Sequence, residues 1–238
     1  AIEYAKNKAA TLKKSLHFSL VSNLTLMTEE KLARLLDNWV DICSSLDWDE
    51  VTHNFNRSGY DGNSYKTVTY WLKRLNDEKE KRKLGHASAL LTVTNETIWK
   101  YKQIIDTYIE LWIKWVFLRW LNPYGFAAAD LQKLSYSKED WIDFYKKSLD
   151  YILELNKKGV KFSEYITTIF LQKIFNSIDP NFMDIRSPSW IAIGWVAYNF
   201  DGKVYASDES RMLWRMWDDS FFMTDLLETW EETYLAMM

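Results

Sequence analysis

Several polar side chains in this chain stand where short apolar runs stop. Asn23 follows Leu20-Val21, Ser45 and Asp47 follow Ile42, Thr92 and Thr94 flank Val93, and Arg119 ends Val116-Phe117-Leu118. Amides and hydroxyls placed this way can bind a small polar ligand, and Arg119 can hold a carboxylate through its planar fork or form a salt bridge to a helix. Asp47 and Arg57 can likewise face a ligand, pair with each other or cap loops. Asp208, Glu209 and Arg211 read either as site residues or as the acidic first turn and cap of a helix. Cys43, between Ile42 and Ser44, is a small buried hydrophobe by its surroundings. His17 and His86 fall at strand beginnings, away from the expected active face. With His53 they make three histidines, too scattered for a zinc site.

The elements that must position these residues follow from periodicity. Tyr4 to Lys14 reads as a helix, and Leu16, Phe18, Leu20 and Val21 as a strand that stops at Ser22 and Asn23. Thr28 can cap a helix with Glu29 and Glu30 in its first turn and Leu32, Leu35 and Leu36 on one face. Val40 and Ile42 belong to a second strand ending at Ser45, Leu46 and Asp47. After a loop through Asn63, Ser64 is expected to cap a helix with the stripe Tyr65, Val68, Leu72 and Leu75. Its charged end, Asp77 to Lys83, reads as solvated. Leu90, Leu91 and Val93 form a third strand ending at Thr94 and Asn95. The helical stripe Ile98, Tyr101, Ile105 and Tyr108 follows, then a fourth strand ends at Arg119.

That alternation calls for a parallel sheet with helical crossovers. Such folds place their chemistry at the carboxyl ends of the strands. From Ser137 the character changes. Ser137 and Asp140 form a capping-box pattern opening a helix through Leu155, and a second helix is expected over roughly Ser163 to Phe175. Short β runs flank an Asp201-Gly202 hairpin turn, and a helix starts near Ser207. The expected division is an α/β portion over residues 1–136 and a smaller helical and hairpin region over residues 137–238.

Composition narrows the classes. The chain has 238 residues, 47% of them hydrophobic, and a net charge of −3 without a basic block, which argues against nucleic acid as a partner. No apolar run reaches the length of a membrane span and no signal peptide opens the chain, so a cytoplasmic protein is expected. One cysteine excludes an internal disulfide framework and a cysteine-rich metal site within the chain.

Several motifs occur together and in order: Ser22-Asn23, Ser45-Leu-Asp47, His53-Asn-x-x-Arg57, and Leu118-Arg119 through Asn122-Pro-Tyr-Gly125. Ser187-Pro188, Ala197-Tyr-Asn-x-Asp-Gly-Lys-Val-Tyr205 and Ser207-Asp-Glu-x-Arg-Met-Leu213 follow. The chain resembles radical S-adenosylmethionine (radical SAM) peptide maturases, specifically those of His-Xaa-Ser-type peptide systems with an auxiliary-cluster, SPASM-like, C-terminal region. The resemblance implies a partial (βα) barrel, S-adenosylmethionine as cofactor and a 4Fe–4S cluster on a three-cysteine loop. A 5′-deoxyadenosyl radical then abstracts hydrogen from a peptide or small protein substrate. It also implies that Asn23, Ser45, Asp47, Arg57, Thr92, Thr94 and Arg119 surround the S-adenosylmethionine.

The chain departs from that pattern. It has no three-cysteine loop and no glycine-rich second strand, and Ser189 stands where the family's Ser-Pro-Cys has its cysteine. It begins without Met, in the helix before what would be the third strand. The reading that follows is a fragment of such an enzyme, inactive by itself and without cluster ligands. The alternative is a degenerate, non-catalytic peptide-binding module of the same fold.

Tryptophan is unusually placed. The chain holds 13 tryptophans and 7 glycines. Trp39 and Trp112 fall just past helix ends, where glycine ordinarily adopts the left-handed conformation. Trp48, Trp190 and Trp217 stand where the resembled family has glycine. Trp71, Trp141 and Trp230 fall at helical positions. Either the chain is divergent with aromatic turns, or the five are glycines encoded by UGA, a codon that some bacterial genetic codes read as glycine.

Overall fold

The computed structural model describes residues 2–57, 62–176, 179–180, 182, 185–186, 191–192 and 194–226. Ser187, Pro188, Ser189, Trp190 and Trp230 lie outside the described residues. The chain divides into two compact units, one made of residues 1–120 and 136–168, the other of residues 121–135 and 169–238.

The first unit opens with a helix over Ile2–Thr11 (α1) and a strand over Ser19–Ser22 (β1). A helix over Glu29–Asp37 (α2) follows, capped as expected by Thr28, whose hydroxyl accepts from the Lys31 amide at 3.2 Å. The second strand, Asp41–Ser45 (β2), leads into a short helix, Glu50–Asn56 (α3), and a long one, Ser64–Lys81 (α4). Asn63, not Ser64, is the cap of α4: its side-chain oxygen accepts from Lys66 N, while the Ser64 hydroxyl donates to the Arg57 carbonyl. The charged end of α4 also departs from expectation. Lys79 is only 3% exposed and reaches Asp41 at 3.8 Å, and burial lowers its pKa. Its aliphatic stem covers core, so a charge run read as solvated contains one buried member.

A third strand, Ser88–Thr92 (β3), a helix, Tyr101–Glu110 (α5), and a fourth strand, Trp115–Arg119 (β4), complete the alternation. Within the same unit, Lys138–Lys157 (α7) begins with the expected capping box of Ser137 and Asp140. Where the helix beginning at Ser163 was expected, Ser163–Glu164 instead form a fifth strand (β5), and the helix runs over Tyr165–Phe175 (α8). The cause is the Glu164 side chain, which accepts from Thr167 N at 2.6 Å and so caps α8, while the main chain before it pairs with β4.

The sheet order is β1-β2-β3-β4-β5, and every pairing is parallel. One face is core. Ile42, Ala89, Leu91, Val116 and Leu118 are buried in one cluster with Leu32, Leu36, Val68, Leu72, Ile104, Ile105 and Phe144 from the helices. The other face, with Cys43, Ser45, Leu90, Thr92, Phe117 and Arg119, is half-buried. The parallel sheet with helical crossovers is what the alternation called for, and the partial (βα) barrel arrangement is what the resemblance implied.

The second unit contains a 3-10 turn over Gly125–Asp130, a one-turn helix over Leu131–Leu134 (α6) and the later residues of α8. Its sheet is antiparallel, with Ala197–Tyr198 (β6), Lys203–Tyr205 (β7) and Phe222–Asp225 (β8) in that order. The hairpin turns at Asp201-Gly202, where Gly202 has φ 87° and the Asp201 carboxylate accepts from Asn199 and from Lys203 N. A helix over Asp208–Trp214 (α9), capped by Ser207, precedes β8, which the sequence pattern did not signal. Tyr205, Trp214 and Phe222 pack together with ring centroids 5.4–6.1 Å apart.

Backbone geometry bears directly on the tryptophans. Trp39, Trp48, Trp112 and Trp217 have φ of 58°, 51°, 61° and 67°. An L-residue there costs about 1–2 kcal/mol because Cβ crowds the following carbonyl. Trp71 and Trp141 lie inside helices and pack against the core.

Candidate functional site

Of the seven residues singled out, six fall at or just beyond the carboxyl ends of β1 to β4, and Arg57 is the C-terminal cap of the helix that follows β2. Asp47 is the most engaged of them. Its carboxylate is 2% exposed and accepts from Arg57 Nε at 2.7 Å and Arg57 Nη2 at 3.2 Å. It also accepts from the main-chain amide of Thr92 at 3.2 Å and from Asn56 Nδ2 at 3.4 Å. The pair thus ties the end of β2 to the end of α3 and to β3. Arg57 is held in a bidentate fork, which leaves this carboxylate no spare geometry for a ligand.

Two further residues fix the same loop. His53 is fully buried, and its Nδ1 accepts from Asp47 N at 3.1 Å. The proton of the neutral ring is thereby assigned to Nε2, which is buried without a hydrogen-bond partner among the described residues; the His53 and Tyr65 rings meet in a T-shaped arrangement with centroids 5.8 Å apart. Burial pushes the His53 pKa down, against an opposing pull from Asp47. Tyr108, on α5, is also fully buried; its hydroxyl donates to the Leu46 carbonyl and accepts from Trp48 N at 3.5 Å. Burial raises its pKa well above the ordinary tyrosine value. The ammonium of Lys100 lies 4.6 Å from the Trp48 ring centroid. Tyr108 is visible in sequence only as part of a helical stripe; its hydroxyl gives no sequence signal.

Thr94 is likewise internal, donating its amide to the Thr97 hydroxyl at 2.8 Å to close the turn after β3. Asn23 is exposed, and its side-chain oxygen accepts from the Thr25 amide and hydroxyl at 3.3 and 2.9 Å. Ser45, Thr92 and Arg119 are different. Each is the last residue of its strand, and each faces the half-buried side of the sheet. Register sets Thr92 beside Arg119. The Arg119 guanidinium has no hydrogen-bond or ion-pair partner among the described residues.

A second buried carboxylate, Glu164, was missed. It accepts from the Tyr145 hydroxyl at 2.6 Å and from Leu118 N at 3.3 Å besides capping α8. Burial and the neighbouring Glu164 charge raise the Tyr145 pKa. Nothing in the local sequence marks Glu164, because its partners come from three separate segments. Asp208 and Arg211 pair with each other at 2.9 Å in the first turn of α9, directly after the Ser207 cap. A cavity of about 320 Å³ lies on the helix side of β1, among Leu20, Leu26, Met27 and Leu35 with Lys31 and Arg34. Ser22, the last residue of β1, also lines it, but none of the seven candidate site residues does.

The residues present do not fit an iron–sulfur cluster. Such a cluster needs several thiolates, and Cys43 is the single cysteine. Its thiol is partly buried within β2, and burial raises its pKa. Among the described residues no group of three or more His, Cys, Asp or Glu could hold a metal ion. Among the same residues no helix is long and apolar enough to cross a membrane.

No protein-family model and no curated protein sequence matches the chain. Solved structures do. Native anSMEcpe with bound AdoMet and Kp18Cys peptide superposes with a TM-score of 0.71 at 18% identity, covering 98% of this chain and 63% of that one. Native anSMEcpe with bound AdoMet gives 0.70 at 19% identity over 96% and 59%. SuiB of Streptococcus suis gives 0.55 at 12% identity over 85% and 46%. This chain has the anSMEcpe fold. It spans less than two thirds of the length of each of these solved chains.

Proposed function

We propose that this chain is a binding module on the radical SAM maturase fold, taking S-adenosylmethionine at the strand ends and a peptide on the half-buried sheet face. On its own it carries out no radical chemistry. The observation that carries the reading is Arg119, a half-buried guanidinium with no anionic partner among the described residues, set beside Thr92 at a strand end. Desolvating a guanidinium is unfavourable unless an anion meets it. The carboxylate of an amino-acid-bearing ligand matches its fork. Ser45 and Thr92 supply hydroxyls on the same face, while Asp47, Arg57, His53, Thr94 and Tyr108 hold the strand ends in place without touching ligand. Asn23 is a further contact at the end of β1.

S-adenosylmethionine bound to anSMEcpe, with and without peptide, supports carrying both ligand classes to this fold. The shortage of thiols makes a non-catalytic module the better reading. A second reading is the central and C-terminal part of a longer maturase. It is favoured by the near-complete coverage of this chain against a longer anSMEcpe chain.

Calorimetry with S-adenosylmethionine, adenosine and S-adenosylhomocysteine tests the assignment. Both ligands that carry a carboxylate should bind, adenosine should bind more weakly, and Arg119→Ala should weaken the first two by roughly 10–100-fold while leaving adenosine unchanged. Equal affinity for all three ligands would overturn the carboxylate assignment. Anaerobic incubation with iron, sulfide and reductant should yield no 5′-deoxyadenosine; its formation by this chain alone would overturn the non-catalytic reading.

A further inference from the structure

Among the described residues, six segments close in the same way. A residue in the left-handed region donates its N–H to the carbonyl three residues back, and the next residue donates to the carbonyl five back from itself. For Gly159 these bonds go to Asn156 and Leu155, both at 3.0 Å. For Trp39 they go to Leu36 and, from Val40, to Leu35, both at 3.1 Å. For Trp112 they go to Ile109 and, from Ile113, to Tyr108, both at 2.9 Å, and for Trp217 to Trp214 and Leu213 at 3.0 and 3.1 Å. Lys13 and Lys83 complete the set. This is the Schellman ending, whose left-handed position is ordinarily glycine.

The occupants are not alike in what they gain there. Lysine at a helix C-terminus meets the negative end of the dipole. Tryptophan has no such compensation, and burial does not supply one. Trp39, Trp112 and Trp217 are 74%, 59% and 98% exposed. Their indoles stand in water while their backbones are strained. Gly159 is the internal control. A Cβ added there would meet nothing within 4 Å, so only its φ of +89° distinguishes it as a glycine site. Trp48, with φ 51° in the turn between β2 and α3, shares the backbone conformation but not the exposure: its ring is partly buried against the core, with the Lys100 ammonium 4.6 Å from its centroid. Tryptophan fills 13 of 238 positions in the chain but four of the eight described non-glycine positions with positive φ. Coincidence of one bulky residue type with one glycine-demanding conformation calls for a common cause.

We propose that the natural polypeptide carries glycine at positions 39, 48, 112 and 217, encoded by UGA codons that its source organism reads as glycine. Tryptophan at those positions is the reading of the same codons by another code. Trp71 and Trp141 lie inside helices, outside the left-handed region, and are true tryptophans. The inference stands on backbone conformation at all four positions and on exposure at 39, 112 and 217, and so is independent of the ligand proposed for the strand ends.

Mass spectrometry of peptides from the source cells should find glycine at the four positions and tryptophan at 71 and 141. Tryptophan at the four positions would overturn the proposal. The unmodified gene, expressed in a host that reads UGA as stop, should yield no product extending past residue 38; a full-length product there would also overturn it. Physical support comes from full-length chains made from recoded genes. Trp39→Gly and Trp112→Gly should each raise the unfolding midpoint by roughly 2–6 °C, while Gly159→Trp and Trp141→Gly lower it. A lower midpoint for both glycine replacements would show that the exposed indoles are native and stabilising, which sinks the idea.

Discussion

The two faces of the parallel sheet are built from the same strands and do opposite things. On one, Ile42, Ala89, Leu91, Val116 and Leu118 are sealed under helices; on the other, Ser45, Leu90, Thr92, Phe117 and Arg119 alternate with them and stay half-buried. Parallel sheets usually bury both faces. One face is partly open and carries, at the end of β4, a guanidinium without a partner among the described residues, while the other holds the fold. Asp47 and His53 occupy the seam between the two roles: polar like the open face, buried like the closed one.

The largest effects should come from the closed face. Leu91→Ala should destabilise by about 2–5 kcal/mol, through lost burial and the cavity left behind. Phe117→Ala, a larger truncation on the open face, should cost less, on the order of 1–2 kcal/mol, because part of the ring is already in water. Urea unfolding of both variants compares the faces directly. A Phe117→Ala loss equal to or above that of Leu91→Ala would erase the distinction.

Asp47→Ala should come next, at roughly 2–3 kcal/mol. It strands Arg57 and the Thr92 amide, but Arg57 is 30% exposed and recovers some hydration, which keeps the loss below that of a fully buried pair. Binding of S-adenosylmethionine should also fall, because β3 loses its tie to β2. A variant of native stability would show that the pair is ornamental.

His53 sharpens the seam through pH. Its folded pKa is depressed by burial, so the unfolded chain takes up a proton first as pH falls. The stability it contributes is complete above the unfolded value near 6.5 and is lost as pH falls from there through the folded pKa, at no more than about 1.4 kcal/mol per pH unit. His86 is shifted in the same direction, also chiefly by burial. His53→Asn, which keeps an acceptor for Asp47 N but cannot be protonated, should therefore reduce this acid slope without abolishing it. An unchanged slope in chemical denaturation between pH 5 and pH 7 would remove His53 from the seam.

The smallest effect on stability belongs to the open edge. Arg119→Ala should change stability by no more than about 0.5 kcal/mol, while its ligand affinity collapses. A large destabilisation would mean that Arg119 serves the fold.

Much of this was legible in the chain itself. The alternation of helical stripes with short apolar runs marked β1 to β4 and called for a parallel sheet, because periodicity is a local property of the residues; the order of the strands in the sheet came from the structure. Thr28, the Ser137–Asp140 box and the Asp201-Gly202 turn announced their structures for the same reason: a cap or a tight turn is decided within four residues. The left-handed positions of Trp39 and Trp112 were likewise readable from the helix ends that precede them.

What only the tertiary structure decided are the long-range partnerships. β5 is two residues long and exists because β4 lies beside it. Lys79 looks solvated in sequence and is buried because Asp41 and the core meet its helix. Glu164 gathers Tyr145, Leu118 and Thr167, and Tyr108 reaches Leu46, contacts that no spacing rule encodes. The sequence by itself determined which residues stand at strand ends. Which of them are spent on holding the ends together, like Asp47 and Thr94, and which have no partner among the described residues, like Arg119, depended on what folding brought within hydrogen-bond reach.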